Sequence, residues 1–130
     1  MSSTQKFRAY RIDKDDDGIK AGFCDLGLDD LSGGDVVIRV SHSTINYKDA
    51  LAATGTGRIL RSYPLVGGID LAGTVEPSEN TALEPGTRVV VNGGGLSETR
   101  DGGYAEFARV PADSVITLPT GISQKLAMQL

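Results

Sequence analysis

Clusters of glycine constrain the fold of this chain more than any other feature of its sequence. The chain contains 17 glycines in 130 residues, and many fall together at positions 33–34, 67–68, 93–95 and 102–103. Glycine reaches backbone conformations that other residues avoid, and it interrupts both helices and strands. The spacing of these clusters therefore predicts many short strands joined by tight turns rather than a few long helices.

The segments between these turns have the composition of β-strands. Residues 36–40 give the strongest signal, because they are β-branched and nearly continuous. Residues 16–18 offer a turn between the first two predicted strands, so these strands are expected to form a hairpin. The predicted strands cover residues 7–12, 19–26, 36–40, 70–75, 87–91, 104–110 and 115–118.

The sequence predicts two helices. The first begins at Asn46, a favourable N-cap, with the acid Asp49 three positions later and Gly55 at its end. The second begins near residues 120–123, and the chain stops one or two turns into it, so we expect the chain to be interrupted there. These elements predict one mainly β domain, a partly open barrel with a short helix inserted after the third strand and a helical C-terminal exit.

Charge and hydropathy limit the classes of partner. The formal net charge is -4, and no run of Lys or Arg could follow a phosphate backbone, so we expect no nucleic-acid partner. No apolar stretch reaches the roughly 18 residues that a membrane helix needs, and the N-terminal residues lack the apolar segment of a secretion signal. We therefore expect no membrane partner and a cytoplasmic location.

Residues that commonly bind metals are too few for a catalytic zinc, so we expect no metal. The chain has one histidine, His42, and one cysteine, Cys24, whereas such a zinc requires three converging protein ligands. We interpret Cys24 as a core or sheet residue, and His42 as a packed or hydrogen-bonded imidazole. The aspartates at residues 15–17 indicate a solvated hairpin turn, the alternative being an acidic metal-binding loop that lacks its further spaced ligands.

The glycine triplet at residues 93–95 has a second interpretation as a phosphate-binding loop. It follows a predicted strand, as a dinucleotide-binding loop does. No convincing helix follows it, and the third glycine of the fingerprint is missing. A flexible turn between strands is the better interpretation.

Residues 43–49 concentrate polar groups at a strand-to-helix junction. They carry hydroxyl, amide, phenol, ammonium and carboxylate groups, and such junctions hold side chains rigidly at the rim of a β scaffold. One interpretation is a helix cap, in which Asn46 caps, Asp49 returns the bond and Tyr47 packs. The other is an active site, and the chemistry alone leaves both open.

Four segments occur along the chain in a characteristic order: residues 43–49 (STINYKD), 64–75 (PLVGGIDLAGTV), 85–91 (PGTRVVV) and 102–107 (GGYAEF). In this order they resemble the GroES-like domain of the quinone oxidoreductase-like medium-chain dehydrogenases/reductases. Residues 46–49 together with residues 55–61 (GTGRILR) resemble the YhdH/YhfP-like, acrylyl-CoA reductase branch. The resemblance covers residues 7–128.

The resemblance implies the substrate-side part of a two-domain enzyme. Residues 1–120 would form the GroES-like domain and residues 121–130 the start of the interdomain helix, with the family's Rossmann domain absent from this chain. In the implied reaction, NADPH delivers a hydride to the β-carbon of an enone or enoyl thioester, and a proton reaches the α-carbon. Tyr47 matches the family tyrosine that contacts the nicotinamide cofactor, and Asn46 beside it is expected to orient the substrate carbonyl or the cofactor amide. Both are candidate catalytic and cofactor-binding residues, and Tyr47 is a candidate proton donor.

Departures from the family pattern imply a zinc-independent enzyme. Zinc-dependent relatives carry a cysteine soon after the strand that ends at Ser43, and Gly-His-Glu where this chain has Gly68-Ile69-Asp70. The cysteines of their structural zinc lobe are also missing.

The expected substrate is a small-molecule enone, quinone or acyl-CoA, and we expect the chain to be inactive alone. The alternative is a stand-alone GroES-like binding or assembly module without catalysis. An apolar face that the missing domain would cover is also expected to favour a homodimer.

Overall fold

Two antiparallel β-sheets form the framework of the structure, a computed structural model that describes residues 5–55, 60–77 and 83–129. The strands are β1 (Phe7–Asp15), β2 (Gly18–Leu26), β3 (Val36–His42), β4 (Leu65–Val66), β5 (Asp70–Glu76), β6 (Arg88–Asn92), β7 (Phe107–Val110) and β8 (Ile116–Thr117). One sheet has the order β2-β1-β4, and the other has the order β7-β3-β5-β6-β8. The predicted mainly β class is confirmed, and β4 is an addition that is too short to show a sequence pattern.

The hairpin of β1 and β2 explains the run of aspartates. Its register runs from Phe7 opposite Leu26 to Asp15 opposite Gly18. The Asp17 N–H donates to Asp15 Oδ1 at 2.9 Å, which stabilises the turn in the way that aspartate commonly does. The predicted hairpin turn is therefore confirmed.

The strand predicted to begin at Tyr104 is wrong in its first half. Only Phe107–Val110 forms β7. The preceding residues cross between the sheets: the Tyr10 N–H of β1 donates to the Tyr104 carbonyl at 2.7 Å, and the Val40 N–H of β3 donates to the Glu106 carbonyl at 2.9 Å. Residues 104–106, hereafter the crossover, therefore join the two sheets into a partly open barrel.

The largest cluster of buried apolar side chains belongs to the five-stranded sheet. Val36 and Ile38 of β3 and Leu71 of β5 are fully buried in it. Burying a side chain of this size contributes about 1.5–3 kcal/mol to stability. Smaller clusters form around Phe7 and, between β1 and the first helix, around Ile12. Cys24 packs against the Phe7 cluster from β2, as predicted.

Two α-helices are present where the sequence predicts them. Helix α1 (Tyr47–Thr54) follows the third strand and ends at Gly55, whose φ of 75° is the left-handed conformation that favours glycine. Helix α2 (Gln124–Gln129) is the C-terminal exit. Residues 56–59 of the GTGRILR motif lie outside the described residues. Neither described helix is long and apolar enough to cross a membrane.

The glycine triplet forms a turn rather than a phosphate-binding loop. Gly93, Gly94 and Gly95 all have positive φ, between 63° and 88°. The next element is β7 rather than a helix, so this loop lacks the helix N-terminus that binds a pyrophosphate. The turn expected from the sequence is confirmed.

Ser97 is a strained residue within this loop. It is the one non-glycine residue of positive φ among those described, at 61°, where an L side chain costs about 1–2 kcal/mol. Its side chain is fully buried, and its hydroxyl has no hydrogen-bond partner among the described residues. Both features destabilise the loop.

Replacing Ser97 with glycine is predicted to stabilise the domain by about 1 kcal/mol, because it removes the strain and the unpaired hydroxyl, less the entropy cost of glycine. Urea unfolding measures the change. The control is Thr99→Gly in the same loop, where an exposed residue without positive φ is predicted to lose stability instead. A less stable Ser97→Gly variant would contradict the assignment of strain.

Candidate functional site

A largely apolar cleft of about 640 Å³ opens where the two sheets meet. The hairpin of β1 and β2, the end of β3, helix α1 and the crossover form its walls. Concave, mostly apolar sites with a few fixed polar groups are the usual form of small-molecule sites. The side chains that define it best are those of Tyr10, Phe23, His42, Ala50, Ala53 and Tyr104.

An irregularity in β3 brings consecutive residues to this cleft. The register of β3 against β5 shifts between Val40 and His42, which marks a β-bulge at Ser41. Side chains of a regular strand alternate between faces, but residues 40–43 all line the cleft. A bulge re-aims side chains in this way, often beside functional sites.

The carboxylate of Asp70 organises the segment between β3 and α1, residues 43–46, hereafter the junction. Asp70 begins β5 and is only 8% exposed. Its Oδ1 accepts the Thr44 N–H at 2.9 Å, and its Oδ2 accepts the Thr44 hydroxyl. The Ser43 hydroxyl donates to the Asp70 carbonyl at 2.8 Å and lies 3.2 Å from Oδ1. Hydrogen bonds to a buried carboxylate are strong, so this set fixes the junction against the sheet.

A second buried carboxylate, that of Asp49, joins the junction to helix α1. Asp49 is 4% exposed, and its Oδ2 accepts the Asn46 N–H at 2.8 Å, as the capping-box pattern predicts. Its Oδ1 accepts the Ile69 N–H at 3.2 Å, just before β5. Asp49 therefore ties the start of the helix to the same strand end that carries Asp70.

The side-chain nitrogen of Asn46 points into this network. It lies 3.0 Å from Thr44 Oγ1, 3.3 Å from Asp49 Oδ2 and 3.5 Å from Asp70 Oδ2. The hydrogen of the Thr44 hydroxyl is already donated to Asp70, so Thr44 Oγ1 can only accept from Asn46. Three acceptors around one atom identify it as the nitrogen, and its hydrogens are committed within the protein.

Tyr104 links the crossover to the junction. Its hydroxyl donates to the Thr44 carbonyl at 2.7 Å. Burial of the phenol, and then the nearby Asp49 and Asp70 carboxylates, raise the pKa of Tyr104 well above its usual range, so the hydroxyl stays protonated. The ring lies against Gly68, where a Cβ would come within 2.8 Å of ring atom Cδ1, so the glycine pair at residues 67–68 makes room for it.

A third buried carboxylate, that of Asp101, holds the segment that leads into the glycine pair at residues 67–68. Asp101 is buried, and its Oδ1 accepts the Val66 N–H of β4 at 2.7 Å. Its Oδ2 accepts the Ser32 N–H at 2.8 Å. Asp101 thus anchors the short strand that precedes the glycine pair.

The two predicted site residues have different surroundings. Asn46 is half-buried within the network, whereas Tyr47 is 80% exposed, so the expectation that Tyr47 packs as part of a cap is wrong. Neither lines the cleft, but Ile45 beside them does and is itself 85% exposed. These two exposed side chains, Ile45 at the cleft and Tyr47 at the start of α1, are hereafter called the rim.

Sequence reasoning missed Asp70 and Tyr104 as site residues. The signal for Asp70 was an acid directly before the apolar residues 71–73 of β5, because buried carboxylates are rare unless they are paired. Tyr104 had no local signal, since its partner Thr44 lies 60 positions away.

Possible metal ligands do not converge in the described ranges of the chain. No group of three or more His, Cys, Asp or Glu side chains is placed to hold an ion there. His42 is exposed at the end of β3, and its Nδ1 lies 2.9 Å from Ser41 Oγ, in agreement with the expected hydrogen-bonded imidazole.

Comparison with known proteins confirms the resemblance seen in the sequence. Residues 32–120 match the alcohol dehydrogenase GroES-like domain family. The chain is 43% identical over 124 residues to the acrylyl-CoA reductase AcuI of Ruegeria pomeroyi, covering 94% of this chain and 38% of that protein. It is 40% identical over 122 residues to the putative quinone oxidoreductase YhfP of Bacillus subtilis, covering 94% and 37% respectively.

A solved structure of the same kind has a closely similar fold. The yhdH oxidoreductase from Salmonella enterica, crystallised in complex with NADP, superposes with a TM-score of 0.88 at 42% identity. The match covers 93% of this chain and 37% of that one. The chain thus spans little more than a third of the length of these relatives.

Replacing Asp70 with asparagine is predicted to destabilise the domain by about 2–3 kcal/mol, because the new amide hydrogens would face donors from Thr44 and Asn46. Urea unfolding measures the loss. Asp113→Asn, at an exposed position, is the control and should change stability by less than about 0.5 kcal/mol. Equal stability of the two variants would contradict the role of Asp70.

Replacing Tyr104 with phenylalanine is predicted to cost about 1 kcal/mol near neutral pH, because the Thr44 carbonyl loses its donor. The raised pKa of Tyr104 contributes stability that is present below about pH 10 and is lost as the pH rises further, since the unfolded chain ionises first. Urea unfolding at about pH 8 and pH 10.5 should show a steeper alkaline loss for the wild type than for Tyr104→Phe. Equal losses of stability in the two proteins between these pH values would contradict a raised pKa for Tyr104.

Proposed function

This chain belongs to the alcohol dehydrogenase GroES-like domain family, and we propose that it forms the substrate-side domain of an NADPH-dependent reductase of the medium-chain dehydrogenase/reductase kind. The proposed substrate is the activated double bond of an enoyl-CoA such as acrylyl-CoA, or else a quinone. The relatives named above as an acrylyl-CoA reductase and a putative quinone oxidoreductase support this proposal.

The observation that carries the proposal is the exposed rim beside the apolar cleft. Tyr47 and Ile45 are 80% and 85% exposed. Large apolar side chains are usually buried, so the exposure of these two neighbours suits a surface that a ligand covers. A flat aromatic ring such as nicotinamide fits an exposed aromatic side chain beside an apolar wall. The rim is also rigid, because Asp70 and Asp49 hold the junction from below. Tyr47 and Ile45 would therefore hold the nicotinamide end of the cofactor.

The hydrogen bonds of the junction support different roles for the two predicted residues, Asn46 and Tyr47. When bound, NADPH would supply a hydride to the β-carbon of the substrate double bond, and negative charge would develop on the conjugated carbonyl oxygen until a proton reaches the α-carbon. The Ser43 and Thr44 hydroxyls and the Asn46 amide have already donated their hydrogens within the protein. The Tyr47 hydroxyl is therefore our choice for the donor to that oxygen. Asn46 acts as a positioning residue that holds Tyr47 in place.

Zinc independence is part of the proposal. Asp70 stands where the zinc-dependent relatives carry glutamate, and its oxygens accept hydrogen bonds from Thr44, Ser43 and Asn46. A carboxylate that is committed in this way has little capacity left for an ion. We therefore assign stabilisation of the substrate oxygen to a hydrogen bond from the protein rather than to a zinc ion.

A chimeric enzyme tests the proposed function. The 130-residue chain would replace the matching N-terminal segment of the Salmonella enterica yhdH oxidoreductase, to which it is 42% identical. We predict that the chimera binds NADPH and oxidises it with acrylyl-CoA or a quinone, whereas the isolated chain shows no measurable NADPH affinity. Fluorescence titration and the loss of NADPH absorbance are the measurements.

The control is Tyr47→Phe in the chimera. Loss of one donor to the developing oxyanion is predicted to lower kcat about 100-fold while NADPH affinity changes little. A chimera that folds and binds NADPH but reduces neither class of substrate would instead favour a binding module without catalysis. Tight NADPH binding by the isolated chain would contradict the two-domain account.

A further inference from the structure

We infer that His42 is a substrate-selecting residue whose Nε2 accepts a hydrogen bond from an amide N–H of the ligand in the cleft. The ligand class is an acyl thioester carried on a pantetheine arm, which contains amide N–H groups close to the thioester. This assignment rests on the proposed function, and it adds a contact that separates thioesters from quinones and simple enones.

The backbone places His42 at the cleft. It is the last residue of β3, directly after the bulge at Ser41, and its exposed ring lines the cavity. Val40 and Ala50 contribute apolar wall on either side of it. A polar ring edge beside an apolar wall is suited to fixing the orientation of a bound molecule.

The hydrogen bonds of Ser41 indicate which ring nitrogen is left for a ligand. The Ser41 hydroxyl has one hydrogen, and the Ala72 carbonyl lies 3.2 Å away as its acceptor. His42 Nδ1 lies 2.9 Å from the same Ser41 oxygen, and with the Ser41 hydrogen on Ala72 we assign the ring hydrogen to Nδ1, which then donates to Ser41. In a neutral imidazole the other nitrogen is then an acceptor. Nε2 is therefore left with a lone pair for a ligand in the cleft.

Several other polar groups of the cleft have contacts of their own. From β1, the Arg8 guanidinium lies 5.2 Å from the centroid of the Phe23 ring, and the Arg8 backbone N–H donates to Glu106 Oε1 at 2.7 Å. Tyr10 of β1 packs edge-on to the same ring. From α1 and the crossover, Asp49 and Tyr104 are bonded within the junction network. His42 is the acceptor that we assign on the β3 wall, and the Glu106 carboxylate is the alternative acceptor.

The chemistry of the acceptor discriminates between substrates. Quinones and simple enones present only carbonyl oxygens, which are themselves acceptors and gain nothing from Nε2. A pantetheine arm carries N–H donors that can pair with it. Loss of one such hydrogen bond weakens binding by about tenfold.

The tautomer is tested on the 130-residue chain itself, because His42 is its only histidine. Nitrogen NMR of histidine-labelled protein at about pH 8 should show a protonated Nδ1 and an unprotonated Nε2. Ser41→Ala should remove that preference. Protonation at Nε2 in the wild type would overturn the inference.

Ligand contact is tested in the same sample with two probes. S-propionylpantetheine should shift the Nε2 resonance, while a benzoquinone, which has no N–H group, should leave it in place. Glu106→Gln should leave the Nε2 response to the pantetheine probe intact. No response to the pantetheine probe, or an equal response to both probes, would overturn the inference without bearing on whether the chimera is an enzyme.

Kinetics of the chimera provide a third readout. His42→Phe should raise KM for acrylyl-CoA about tenfold at unchanged kcat, with KM for a quinone unaffected, and His42→Gln should recover most of the loss because its amide oxygen can accept. Parallel changes for both substrates would indicate a structural role and would overturn the assignment.

Discussion

The hydrogen bonds accepted by Asp70 are the constraint on which the rest of the site depends. A carboxylate at the start of β5 is too costly to bury without partners, and its partners are the Ser43 and Thr44 hydroxyls, the Thr44 N–H and the Asn46 amide nitrogen. This requirement sets the path of the chain between β3 and α1. Because the backbone is held there, Ile45 and Tyr47 are presented to solvent instead of folding back onto the core.

The cleft follows from the way the two sheets are joined. The crossover shares its backbone hydrogen bonds between β1 and β3, and the ring of Tyr104 occupies the space that two glycines leave open. Its hydroxyl then reaches the Thr44 carbonyl. The connection that closes the barrel is therefore also one wall of the site, so changes in packing at Tyr104 reach the junction directly.

The parts of the fold that the sequence predicted are those fixed by local interactions. The hairpin turn at residues 16–18, the start of α1 with its Asp49 bond and the end of α1 at Gly55 each depend on residues a few positions apart. The crossover could not be predicted, because the alternation from residue 104 onward suits a strand until its two halves pair with different sheets.

The sequence predicts the place of the candidate site but not its geometry. The polar composition of residues 43–49 marks the segment, but the direction of the Asn46 amide depends on Asp70, which lies 24 positions away. The exposure of Tyr47 likewise depends on which elements of the fold pack near it, and a local sequence pattern does not contain that information. Sequence patterns indicate such long-range pairings only where a polar residue, such as Asp70, adjoins an apolar run.

We propose that the rigid junction, the exposed side chains of Ile45 and Tyr47 and the apolar cleft form half of a cofactor and substrate site, with the nicotinamide ring against the rim. A crystal structure of the chimera with NADP bound tests this proposal. We expect the nicotinamide ring in contact with Tyr47 and Ile45, with the substrate cleft open beside it. A nicotinamide ring that contacts neither residue would contradict it.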